Sequence, residues 1–138
     1  MNPSVLNDCL ARALAGAMTF PETIERMIAD GVERYDADLA LLQMRHYGPD
    51  GGAHTEEIPL PRAPAVAAEF SAEGVKGAIA SIQRREIGYP EFLRRIMAAG
   101  AAAYSVYLNG RKAIYFGRCG DFHVEPFPPP ADLRGGNP

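Results

Sequence analysis

Cysteine is scarce in this sequence: Cys9 and Cys119 are the only two among 138 residues. They lie far apart and form no C-x-x-C, which excludes a disulfide framework and a thiolate zinc cluster, and a reducing, cytoplasmic setting is expected. Basic runs are absent as well. The 14 basic and 17 acidic side chains are interspersed and leave a net charge of -3, so no stretch can neutralise a row of phosphates, and nucleic acid is not an expected partner. No uncharged apolar run approaches the roughly 18 residues of a membrane span. The opening "MNPSVLNDCLARALAGAM" carries Asp8 and Arg12 within its apolar pattern, has no basic leader, and is expected to form an amphipathic helix. "GRCG" at 117–120 lacks the spacing of a phosphate-binding loop and follows a strand pattern without opening a helix.

What remains is apolar and repetitive. With 47% hydrophobic residues, a chain of one-domain length can fill a core. Sliding the sequence by 69 positions aligns residues 20–59 with 89–128 without a gap, matching Pro21 to Pro90, Arg26 to Arg95, Gly31 to Gly100, Tyr35 to Tyr104, His54 to His123 and Glu56 to Glu125. Self-similarity at a fixed offset is the mark of a repeated supersecondary unit. The apolar pattern of 4–18 overlays that of 73–87, so the unit includes a leading helix.

Local chemistry accounts for many matches. In "TFPE", Thr19 caps a helix, Glu22 reaches back to the cap N–H, and Pro21 occupies the first turn, where its missing donor costs nothing. Glu91 is assigned the role of Glu22, although Gly88 replaces the threonine. Gly31 and Gly100 end the helices by taking positive φ. Between cap and glycine, Ile24, Met27 and Ile28, like Leu93, Ile96 and Met97, recur at helical spacing and predict a buried stripe. Afterwards the period becomes two. "YSVYL", "NG" and "RKAIYF" predict a hairpin closed by a type I′ turn at Asn109-Gly110, followed by "GRCG" and a third strand, "DFHVEPF". The first copy reads likewise, with a less clear turn at Ala40-Leu41.

The expected fold is therefore α+β and two-layered, an internally duplicated helix, helix and antiparallel meander. Residues 1–58 form the first unit and 71–128 the second. The linker 59–70 is held out of helix by its prolines until Ser71 caps the next helix, and 129–138 is expected to be a disordered tail.

Alternation places Tyr104, Val106, Leu108, Ala113, Tyr115, Phe122 and Val124 on the helix-covered face of the second meander. Tyr35, Ala37, Leu39, Leu42, Met44 and His46 share that face in the first. On the opposite face the first copy carries Asp36, Asp38, Gln43 and Arg45, with an expected Asp36–Arg45 pair. The second carries Ser105, Tyr107, Lys112, Ile114, Phe116, Asp121, His123 and Glu125. An apolar cluster turned away from the helices marks a partner or ligand surface, so Tyr107, Ile114 and Phe116, rimmed by Lys112 and His123, are the candidate contact residues for a second copy or another protein.

The repeated pairs His54/Glu56 and His123/Glu125 are the candidate reactive groups. H-x-E on a strand points both side chains one way and can supply metal ligands or a base beside a carboxylate. A catalytic metal wants three protein ligands, so such a site requires the two pairs to converge; otherwise they are retained strand residues. Tyr35 and Tyr104 read as core aromatics, Cys9 as packing, and Cys119 as a thiol without an activating histidine.

The stretches "YPEFL", "AYSVYLNG" and the strand ending "HVE" resemble the YbcV-like (YdfO-like) family of small bacterial and prophage-associated proteins, a domain of unknown function. The resemblance implies a two-layer α+β fold and suggests a regulatory or host-interaction role, without supplying catalytic residues. The expectation is a binding or interaction module needing no cofactor, with a small hydrolase or metal-binding protein using the His-x-Glu pairs as the alternative.

Overall fold

The computed structural model describes residues 1–128; the tail expected over 129–138 lies outside them. Helices α1 (Pro3–Leu14) and α2 (Phe20–Ala29) precede strands β1 (Arg34–Asp38), β2 (Gln43–Tyr47) and β3 (Ala53–Glu57). The order recurs as α3 (Ala72–Gln83), α4 (Tyr89–Ala98), β4 (Ala101–Tyr107), β5 (Lys112–Gly117) and β6 (Phe122–Pro126). No helix among the described residues is long and apolar enough to cross a membrane.

The expected start signals operate. Thr19 Oγ1 accepts from the Glu22 N–H at 3.3 Å while Glu22 Oε1 accepts from the Thr19 N–H at 2.7 Å, and Ser71 Oγ caps α3 through the Gly74 N–H at 3.0 Å. Gly88 opens α4 with no side-chain cap. Gly31 and Gly100 have φ of 88° and 94°. The α4 stripe Leu93, Ile96 and Met97 is buried, whereas in α2 Ile24 and Met27 are buried and Ile28 is exposed, because α2 turns Thr23 inward instead.

The strands form one six-stranded antiparallel sheet in the order β3-β2-β1-β4-β5-β6. The halves join at the centre, where Asp36 faces Ser105, the residue matched to it in the sequence slide, with Tyr35 opposite Val106 and Ala37 opposite Tyr104. The helices cover one face, and Leu6, Val75, Leu93, Ile96, Val106 and Leu108 pack between the layers, each almost wholly buried. Fully burying such a side chain is worth about 1.5–3 kcal/mol.

Three expectations are corrected. The β4–β5 hairpin has the expected register, Tyr107 opposite Lys112 and Val106 opposite Ala113, but its turn is not type I′. Positive φ falls on Arg111 (55°), not on Asn109 or Gly110, and on the corresponding Leu42 (56°) in the first copy. Leu108 and Leu39 stand just past the strand ends, their N–H groups donating to Glu33 O and Ala102 O at 3.1 and 2.9 Å, and are 1% exposed, so burial of the first loop residue shapes both turns. In the β5–β6 connection Phe116 pairs with Phe122 and Tyr115 with His123. Asp121 thus belongs to the turn, where its carbonyl accepts from the Gly117 N–H at 2.7 Å. One extra turn residue inverts the faces of β6: His123 and Glu125 lie on the helix side, and Phe122 and Val124 on the open side. Finally, Asp36 pairs with Arg34 at 2.9 Å, and Arg45 with Asp38 at 3.9 Å, in place of an Asp36–Arg45 pair.

The linker is non-helical as expected and is fastened to the end of α4: the Ala67 N–H donates to Met97 O and the Ser71 N–H to Ala99 O, at 3.1 and 2.7 Å. A Cβ on Gly100 would stand 2.2 Å from Glu69 O, so the linker runs where only glycine leaves room.

A candidate binding cleft between the helices and the sheet

The two helical hairpins do not close completely over the sheet. Between them lies a cleft of about 710 Å³, bounded at its mouth by the α1–α2 turn, the α3–α4 turn and Phe127, with Tyr35, Tyr104, Val106, Ala113 and Tyr115 among its lining residues. Its volume falls in the range of small-molecule sites, about 300–1,000 Å³. The period-two pattern explains the lining: alternate residues of β1, β4 and β5 must face the helices, and here several are tyrosines.

The rings form a connected panel. Tyr104 lies 5.2 Å from Tyr115, Phe92 meets Tyr115 edge-on at 6.4 Å, Tyr89 stacks on Phe92 at 6.2 Å, and Tyr35 meets Tyr104 edge-on at 6.4 Å. The Tyr89 and Tyr104 hydroxyls hydrogen-bond each other, while those of Tyr35 and Tyr115 take part in no hydrogen bond among the described residues. Burial holds all four phenols in their neutral form: Tyr89 is pushed up to about 12, against the opposing effect of its bond to Tyr104, and Tyr35, Tyr104 and Tyr115 are likewise raised. The Thr23 hydroxyl donates to Thr19 O at 3.0 Å.

The His-x-Glu pairs do not converge. Both lie on the helix side, but β3 and β6 are opposite edges of the sheet, five strand spacings or about 24 Å apart. His123 Nε2 is 2.9 Å from Glu125 Oε1, and of the four residues only Glu125 lines the cleft. His54 Nε2 is 3.2 Å from Asn7 Oδ1 and 3.9 Å from Glu56 Oε2. Among the described residues no group of three or more His, Cys, Asp or Glu is placed to hold a metal ion, so the alternative of a metal site built from both pairs has no geometric basis.

His46 is a residue whose chemistry the sequence reading overlooked. It faces His54 across β2 and β3, its ring 6.0 Å from that of His54 and 5.6 Å from that of Tyr35. It is 0% exposed, and neither of its nitrogens, nor Glu56 Oε2 at 3.8 Å, has a hydrogen-bond partner among the described residues. Burial drives their affinities in opposite directions, taking His46 down to about 4 and Glu56 up to about 7. The signal was a lone imidazole in the apolar alternation of β2, where the second copy has Tyr115.

On the open face Tyr107, Lys112, Ile114 and Phe116 lie where expected, and Phe122 and Val124, at 64% and 40% exposure, extend the patch. His123 does not border it. Cys119 is exposed and Cys9 buried, the latter thiol pushed up by burial.

The chain belongs to the family described as "Protein of unknown function (DUF1398)". The match covers residues 12–125, and so takes in α2, the second helical hairpin, the whole cleft floor and nearly all of the sheet, but only the last turn of α1. No curated protein matches the chain.

Proposed function

We propose that this protein is a binding module that takes a small molecule into the cleft between its helical hairpins and its sheet. The observation that carries this reading is a cavity of about 710 Å³ floored by Tyr35, Tyr104 and Tyr115, two of whose hydroxyls take part in no hydrogen bond among the described residues. An apolar pocket with a few convergent polar groups is how small-molecule sites are built. Among the described residues that line it, no nucleophile, base and orienting group stand together, which favours binding over catalysis. The narrower resemblance, to YbcV-like prophage-associated proteins, supports a regulatory or host-interaction role for such a binder.

The test is a thermal-shift screen of a fragment library on the wild type and on Ala13→Trp, which places an indole on the half-buried cleft wall. Fragments that raise the wild-type midpoint should lose their effect in the variant. Equal shifts in both proteins, or no stabilising fragment at all, would contradict the proposal.

A second reading is self-association through the open face, favoured by the exposure of Phe122 and Val124 beside Ile114 and Phe116. Phe122→Lys should then halve the mass seen by light scattering without changing stability, whereas a wild-type monomer removes this reading.

A further inference from the structure

We infer that the cleft selects an uncharged aromatic molecule carrying one hydrogen-bonding hydroxyl or carbonyl, held by the hydroxyls of Tyr35 and Tyr115. The inference rests on the cleft being a ligand site and adds the chemical class of its guest.

Charge decides the first part. The titratable groups on the cleft floor are phenols held neutral by burial. Arg85 and Glu86 lie in the turn between α3 and α4 at the mouth, and Glu125 sits on the edge strand with His123 already at its carboxylate. A guest bringing a formal charge to the floor would give up its hydration with no opposite charge to meet it.

Ring geometry decides the second. Tyr35, Tyr104, Tyr115, Phe92 and Tyr89 form one chain of edge-on, tilted and stacked contacts with centroids 5.2 to 6.4 Å apart. A flat guest can extend that chain with the same edge and face preferences. A flexible alkyl chain would gain the apolar contact but not the ring geometry, and would lose more rotamer freedom.

Hydrogen-bond inventory decides the third. Tyr89 and Tyr104 satisfy one another, and Thr23 is committed to Thr19 O. The Tyr35 and Tyr115 hydroxyls, on opposite sides of Tyr104 in the sheet, are the pair left uncommitted among the described residues. Each can donate or accept, so either a hydroxyl or a carbonyl on the guest satisfies them. A guest that excludes water without supplying that group leaves them stranded, which should weaken binding about tenfold.

Isothermal titration of the full chain with naphthalene, 2-naphthol, 2-naphthoate and decanoate tests the class. We expect 2-naphthol to bind about tenfold more tightly than naphthalene and more tightly than either anion. Tyr35→Phe/Tyr115→Phe should erase the preference, tightening naphthalene, which no longer strands two hydroxyls, and weakening 2-naphthol, whose own hydroxyl loses its partners, and Ala13→Trp should abolish both. Equal binding of naphthalene and 2-naphthol, or tighter binding of an anion, overturns the inference while leaving the cleft a binding site. Unaltered 2-naphthol binding by Ala13→Trp overturns both. If none of the four binds, the inference falls, and the fragment screen decides the broader reading separately.

Discussion

The two halves of this molecule share an order of elements and differ in what they place at matching positions. On the helix side, His46, His54 and Glu56 in the first half correspond to Tyr115, His123 and Glu125 in the second. Tyrosine at the first of these adds a ring to the cleft; histidine there makes a buried polar cluster with unpartnered atoms. To the cleft itself the first half contributes sulfur and small groups, Cys9, Ala13, Met18, Met27 and Met44, and the second contributes most of the rings. On the open side the first half spends its charges in Arg34–Asp36 and Arg45–Asp38 pairs, whereas the second presents Ile114, Phe116, Phe122 and Val124. The backbone plan fixes where a side chain can act, and single substitutions at equivalent sites decide which half acts.

The largest effect is expected where the halves differ in room. Gly31 and Gly100 both have positive φ, but a Cβ meets nothing within 4 Å at Gly31 and lies 2.2 Å from Glu69 O at Gly100. Gly31→Ala should cost about 1–2 kcal/mol, the ordinary penalty of a left-handed alanine. Gly100→Ala should cost upwards of about 3 kcal/mol, since the linker must also move. Urea denaturation of the two variants measures the difference, and equal losses would show that the linker does not lie against Gly100.

The buried cluster unique to the first half gives a pH signature. Folded Glu56 keeps its proton up to about 7 instead of 4.5, so the stability linked to that proton is present in acid and lost as pH rises from 4.5 to 7. His46, held neutral down to about 4 instead of 6.5, contributes the opposite slope between those values. Glu56→Gln removes only the first. Taken from pH 7 to 4.5, the variant should therefore lose about 3 kcal/mol relative to the wild type. Parallel stability profiles would mean that Glu56 is solvated.

A smaller contrast lies at the caps. Thr19→Ala removes a complete capping box and should cost about 1 kcal/mol. Gly88→Thr supplies the missing cap of α4 at a backbone already extended, φ -93° and ψ 179°, and should gain a few tenths of a kcal/mol. Midpoints of thermal unfolding should move in opposite directions.

Much of this architecture could be read from residue order. Cap residues, terminal glycines and the change of period from helical to two located all four helices and the strands, and alternation assigned the faces of β1, β2, β4 and β5 correctly. The face of β6 was misjudged because "FHVE" alternates apolar and polar residues in either register, and the count of turn residues, which burial does not constrain, decides between them. Asp121 joined the turn and reversed the strand. Turn type failed at Asn109-Gly110 because burial of Leu108 competed with local glycine preference and won. The cleft was not legible at all: it is bounded by turns about 70 residues apart, and an unfilled volume leaves no local pattern. The isolation of His46 and Glu56 from hydrogen-bond partners likewise depends on helices packed over them.

The methionines offer the most direct test of the cleft as a binding site. Of the five in the chain, Met18, Met27 and Met44 line it, while Met1 and Met97 do not. In methyl NMR spectra of ¹³C-methionine protein titrated with 2-naphthol, the resonances of Met18, Met27 and Met44 should shift together and saturably, with Met1 and Met97 unmoved. Saturable shifts confined to Met1 or Met97, or no shift at the three cleft methyls, would contradict it.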